Sequence, residues 1–249
     1  MHGGVGRDGY CRGGGVPGRA VCGVFTLMLG AVAAMLLSAC GEQMPSYRYR
    51  LTVVVDTPEG VRSGSSVIEV RTSESGGLHP GSIVSRFRGE AVAVDLGRRG
   101  TLFALLSARD HAHNAPRVAP SALLPSKGGG PGTWRDKLNA LRNVRGSAPV
   151  PLDAYPMLVR FRDASRPGSV EEVRPADLQS AFGAGVRLRM ISAEITEDDI
   201  STGIVARLPW WNDYRDRRLD GSVARIEHPD NPNLGHHLTR GFFSSEAAR

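Results

Sequence analysis

Tyr47-Arg48-Tyr49-Arg50-Leu51-Thr52-Val53-Val54-Val55 carries an apolar or aromatic side chain at every odd position and a polar one at most even positions. Successive side chains of an extended chain point to opposite faces, so a period of two reads as a half-buried β-strand. Turn chemistry follows at once in Thr57-Pro58-Glu59-Gly60. Residues 66–72 repeat the alternation, with Ile68 and Val70 inward and Glu69 and Arg71 outward. Gly76-Gly77 and Pro80-Gly81 then break the chain. Residues 90–96 alternate through Val92, Val94 and Leu96, and Gly97-Arg98-Arg99-Gly100 reads as a hairpin loop into a strand over 101–106. Residues 46–107 are therefore expected to form a meander of about four strands.

Working outward, residues 108–156 differ. They hold Pro116, Pro120, Pro125, Pro131, Pro149, Pro151 and Pro156 together with Gly128-Gly129-Gly130, too much proline for regular sheet. One helix is expected inside this excursion, where Thr133 can cap and Trp134, Leu138 and Leu141 share a face. The stretch before it, 108–131, has no period and is expected to be exposed. Order resumes with a strand in which Met157, Val159 and Phe161 alternate with Leu158, Arg160 and Arg162. A short helix over 175–182 opens on Pro175 and closes on Gly183. Val186, Leu188 and Met190 then lie on one parity and Ile191, Ala193 and Ile195 on the other, a switch that calls for a β-bulge near Met190. The reading is one α+β domain over 46–249, mainly antiparallel sheet with two short helices.

Toward the amino terminus, Arg7, Asp8, Arg12 and Arg19 precede an apolar run over 24–37, and no charge recurs until Glu42. A positive segment, an apolar segment of about 7–15 residues and small residues at the end define a secretory signal. Leu37-Ser38-Ala39-Cys40 closes it. These four residues resemble the bacterial lipobox, a resemblance that implies cleavage before Cys40, a diacylglyceryl thioether on its sulfur and a short lipidated tether over 40–45. The alternative, an uncleaved signal anchor, is weakened by Gly30, Ser38 and the alanines of the window. Gly41, standing where Asp favours inner-membrane retention in such proteins, points to the outer membrane, facing the periplasm. The lipobox, the hairpin after Tyr47 and the late strand VRLRMISAEIT together are similar to small proteobacterial lipoproteins of unknown function, which implies localisation and no activity.

Cysteine usage agrees with this placement. The three cysteines are Cys11, Cys22 and Cys40, so a chain beginning at Cys40 keeps no free thiol and thiol catalysis is excluded. Residues 1–39 hold three Arg and one Asp, which lowers the formal charge from +6 to +4 beyond them. That mild basicity, with Lys127 and Lys137 the only lysines, gives no footprint for nucleic acid.

No stretch matches a catalytic motif. Ser126-Lys127-Gly128-Gly129-Gly130 puts its lysine before the glycines, the reverse of a phosphate loop, and no G-x-S-x-G elbow occurs. His111 and His113 form an H-x-H pair that, with His236 and His237 and the carboxylates Asp213 and Asp230, outlines a metal-dependent hydrolase as the alternative function. The ordinary reading of these histidines is a solvated loop, and no metal or other cofactor is implied. Glu197-Asp198-Asp199 reads as a solvated turn, and Trp210-Trp211 as core packing rather than a sugar platform. Strand parity puts Arg48, Arg50, Arg71, Arg160, Arg162, Arg187 and Arg189 on outward faces. If their strands share a sheet, they form a guanidinium stripe suited to an anionic envelope component, with Glu69, Glu90, Asp95 and Glu194 as its internal partners. The expectation is thus an envelope lipoprotein, held in the membrane through Cys40, whose body is a non-catalytic binding or structural module.

Overall fold

The alternation at the head of the chain is realised in full. In the computed structural model, which describes residues 45–75, 82–108, 114–124, 134–224 and 231–248, β1 (Tyr47–Thr57) buries every odd residue from Tyr47 to Val55 and leaves the even ones half-exposed. The turn at 58–59 returns it into β2 (Gly60–Ser75), paired antiparallel from Thr57↔Gly60 to Tyr47↔Val70. β3 (Ser82–Arg88) adds to the far edge of β2. On the other edge of β1 lies β9 (Arg187–Ile195), and beyond it the short β6 (Ser147–Pro149). Proline is tolerated in β6 because it is an edge strand. The register of β1 on β9 slips between Val54 and Val55, which pair with Met190 and Leu188. Arg189 is the extra residue, the bulge that the parity switch requires.

Residues 46–107 do not form one four-stranded meander. They form five strands divided between two sheets, because the chain leaves the first sheet after β3 and enters a second. This second sheet has the order β4 (Val92–Asp95), β5 (Thr101–Ala104), β7 (Leu158–Phe161) and β8 (Val170–Glu172), all antiparallel. β3 carries no alternating signal in the sequence, because Ile83-Val84 and Phe87 do not keep a single parity. Where β2 crosses β4 the backbones nearly touch: a Cβ built on Gly64 falls 2.3 Å from the Ala93 carbonyl oxygen. Only glycine leaves room there.

One core fills the space between the sheets. Tyr49, Leu51, Val53, Ile68, Val70, Ile191 and Ala193 face Val92, Val94, Leu102, Ala104 and Leu158 across it. The opposite face of the second sheet is buried as well. Phe103, Leu105, Met157 and Val159 pack under the irregular C-terminal third, against Ile204, Leu208, Trp210, Trp211, Leu219, Leu238 and Phe243. Phe243 lies 5.7 Å from both Phe103 and Phe161 and 6.0 Å from Trp210. The tryptophan pair is therefore core.

Four helices complete the described residues, two of them longer than seven residues. α2 (Trp134–Asn143) buries Leu138 and Leu141 as its period requires. α3 (Leu178–Phe182) begins later than Pro175, because the Asp177 side chain caps it by accepting from the Ser180 N–H. α4 (Leu234–His237) is a single turn. The unexpected element is α1 (Ala115–Leu123), inside the stretch read as exposed and irregular, with Ala115, Val118 and Ala119 buried. Pro116 sits in the first turn, where its missing N–H costs nothing. Pro120 removes the N–H that would bond the Pro116 carbonyl, and the Tyr47 hydroxyl donates to that carbonyl instead, at 3.0 Å. Beside it Tyr49 Oη donates to the Ala115 carbonyl at 2.7 Å. The helix survives its proline because the first strand supplies the donor.

Candidate functional site

β1, β2, β3 and β9 place the outward arginines of the five-stranded sheet in register. Arg48 stands opposite Glu69 of β2, and Arg50 opposite Glu194 of β9. Two guanidiniums next to each other repel unless carboxylates intervene, and here they do. Arg50 Nη1 is 3.1 Å from Glu194 Oε1, and its Nη2 pairs with Asp198. Arg48 lies 3.7 Å from Glu69 and 3.8 Å from Asp199, and it donates to the carbonyls of Glu197 and Asp198. The acidic run is thus not a free turn. Thr196 N–H bonds the Arg48 carbonyl, and Ser201 bonds both the N–H and the carbonyl of Val67 on β2. Between these two points, residues 197–200 pass over the outer face and neutralise the β1 arginines. Glu69 is the internal partner that its outward parity implies, and it is only 6% exposed, held under Arg48 and under Arg71 at 2.9 Å.

The remaining arginines of the inferred stripe divide. Arg187 and Arg189 are on the same outer face toward the β1–β2 turn, Arg189 paired with Asp56 at 2.5 Å and Arg187 exposed. Arg160 belongs to β7, in the other sheet, and Arg162 follows directly on its end. Both grip Glu171 of β8, at 2.9 and 3.0 Å, while Arg160 also donates to the Ala181 carbonyl and lies over the Phe182 ring. They tie β8 and α3 to the sheet and do not join Arg48 and Arg50. Of the other expected partners, Asp95 accepts from the Gly97 N–H, and Glu90 lies buried elsewhere.

The histidine constellation resolves in part. His111, His113 and Asp230 lie outside the described residues. His236 is buried, with Nδ1 2.8 Å from Asp220 Oδ2. Burial works against the Asp220 charge, but the Ser222 hydroxyl and N–H together with His236 hold its pKa below the usual carboxylate value. An ionised carboxylate only accepts, so the ring proton sits on Nδ1. Ser222 Oγ is 2.6 Å from the other Asp220 oxygen, and Asp220 N–H bonds the Gly235 carbonyl. This cluster stitches the 218–222 turn to α4. His237 lies beside His236 but turns Nε2 to the Asn231 carbonyl, at 2.6 Å. Among the described residues no three His, Cys, Asp or Glu side chains are grouped to hold a metal ion.

Two features went unread in the sequence. Glu90 is 6% exposed and accepts the Ile204 N–H at 2.8 Å, in a cavity of about 260 Å³ lined by Ser65, Ser66, Ser201, Thr202 and Arg207. Burial pushes its pKa up, the Ile204 and Gly203 N–H groups pull it down, and Glu246 adds to the rise; the balance is upward. A cleft of about 500 Å³ lies at the end of the second sheet, lined by Leu152, Tyr155, Pro156, Val173, Pro175 and Arg174 among others. Neither was legible because each draws its lining from segments far apart in the chain. No family model matches the chain, and no curated protein or solved structure matches it.

Proposed function

We propose that this chain is an envelope lipoprotein anchored through a lipidated Cys40, in the outer membrane and facing the periplasm, with a body that works as a non-catalytic binding or structural module. The observation that carries the anchor is the run Leu37-Ser38-Ala39-Cys40 behind an apolar segment. The start of the sheet suits this reading: β1 begins at Tyr47, a few residues after Cys40. Two acyl chains hold a protein stably, since each buried methylene contributes about 0.8 kcal/mol.

The non-catalytic reading rests on what the titratable side chains are occupied with. Arg48, Arg50, Arg160 and Arg162 are held by internal carboxylates, and His236 by Asp220. The metal-dependent alternative gains no support from His236, whose ring is buried with one nitrogen committed. Changing Cys40 to Ser tests the anchor. The variant is expected to remain an uncleaved precursor without lipid, measured by intact mass and by labelling with a radioactive fatty acid. Maturation to the wild-type mass, with the protein still in the membrane after alkaline extraction, overturns the lipoprotein reading.

A further inference from the structure

The strap of residues 197–200 neutralises the arginines of β1 but leaves those of β2 and β3. Pairing sets Arg71 of β2 directly opposite Arg86 of β3, and Arg88 opposite Glu69. Since Glu69 faces outward opposite Arg48, and side chains alternate along each strand, Arg71, Arg86 and Arg88 share the outer face with it. Like charges set directly opposite across a sheet are destabilising, and the fold does not relieve this pair fully. Arg71 reaches Glu69 at 2.9 Å, yet its side chain stays 63% exposed. Arg86 and Arg88 are exposed, and among the described residues no carboxylate pairs with them. Two residues from Arg86 on the same face, Val84 is 45% exposed. Three guanidiniums beside an exposed apolar side chain match the surface of a bilayer, where phosphate headgroups border acyl chains.

The place of this patch in the fold selects that partner. The row of Arg88 and Glu69 pairs with Arg48, the second residue of β1, and Arg71 lies one position beyond the Tyr47↔Val70 pair. The patch therefore sits at the end of the sheet where the chain enters from Cys40. Six residues lie between Cys40 and Tyr47, seven steps of the chain and a span of at most roughly 25 Å when fully extended. The β1–β2 turn is at the other end, a further 33 Å or so along β1. We infer that Arg71, Arg86 and Arg88, with Val84, form a membrane-docking patch that lays the tether end of the body on a bilayer of anionic lipids. Guanidinium forks take phosphate oxygens bidentately, and a basic patch joins the acyl chains as a second attachment. The body then stands on the membrane in one orientation instead of swinging on its tether. The choice of a bilayer rests on the anchor proposed above.

The test uses the body alone, residues 45–249, which contains the core residues found among the described residues. It is floated with vesicles of phosphatidylglycerol and phosphatidylcholine in equal parts, or of phosphatidylcholine alone, at low and high salt. Binding is expected to the anionic vesicles only, and to fall with salt. Replacing Arg71, Arg86 and Arg88 by Gln is expected to weaken it roughly fivefold per arginine, on the order of a hundredfold together. Replacing the same three by Lys should retain most of it, which separates lost charge from lost fold. Arg62, Arg98 and Arg187, at the turn end, changed together to Gln remove the same charge and should leave binding unchanged. Equal loss in both Gln triples, or no binding of the unaltered body to anionic vesicles, overturns the proposal. Because this body lacks Cys40, either result leaves the anchor question to the Cys40→Ser experiment.

Discussion

The replacement of a proline's missing donor by a tyrosine from another element predicts a specific energetic coupling. Tyr47→Phe removes the hydroxyl that donates at 3.0 Å to the Pro116 carbonyl. Tyr47 is 5% exposed, so the stranded carbonyl gains little water in exchange. An unsatisfied buried acceptor costs about 1–3 kcal/mol, and for a carbonyl at the edge of burial we expect about 1–2 kcal/mol. Pro120→Ala restores the N–H that the helix would aim at the same carbonyl. In that background Tyr47→Phe should cost about 1 kcal/mol less, a coupling within the range of directly interacting residues. Tyr49→Phe serves as the comparison, because its hydroxyl donates at 2.7 Å to the Ala115 carbonyl, which Pro120 does not affect. It should cost a similar amount in both backgrounds. Urea unfolding of the body and its single and double variants measures each term. A Tyr47–Pro120 coupling below about 0.3 kcal/mol, the scatter of independent sites, would refute the account of how α1 tolerates its proline.

Two further outcomes follow from the packing and from the buried acid. Gly64→Ala puts a Cβ 2.3 Å from the Ala93 carbonyl oxygen and 2.9 Å from its carbon, so β2 must move away from β4. Overpacking of this kind costs about 1–3 kcal/mol, which for a body of this size lowers the Tm by roughly 2–12 °C, read by calorimetry; a Tm within a degree of wild type would mean that the sheets do not meet there. The pKa of Glu90 lies above its ordinary value of 4.5, burial being the largest cause, so its contribution to stability is fully present below that value and is lost as pH rises through the folded pKa. Glu90→Gln, which still offers a carbonyl to the Ile204 N–H, should therefore gain stability relative to wild type at pH 7 compared with pH 4, and a difference that is flat or reversed between the two would remove the buried charge from the explanation.

The sequence by itself determined the elements whose signal is local. The period of two in β1 marks its buried face, because each side chain's environment repeats with the pleat. The parity change at Met190 announced the bulge for the same reason, and Leu138 and Leu141 located α2 by their spacing. The α+β class, mainly antiparallel sheet, followed from these local patterns. Only the tertiary structure decided how the strands are shared between two sheets. Alternation says which face is apolar but not which strand lies beside it, so parity alone cannot separate Arg160 and Arg162, at β7 of the second sheet, from Arg48 and Arg50 of the first. α1 was hidden because its two prolines argue against a helix, and the donor that rescues Pro116 comes from Tyr47, 69 positions earlier in the chain. The acidic run at 197–199 looked like solvent-facing turn because carboxylates and loops commonly coincide. Its role depends on guanidiniums about 150 residues away, whose charge it satisfies only once β9 has paired with β1. Local periodicity is dictated by bond geometry; the pairing of charges and sheets is dictated by which distant surfaces are buried together.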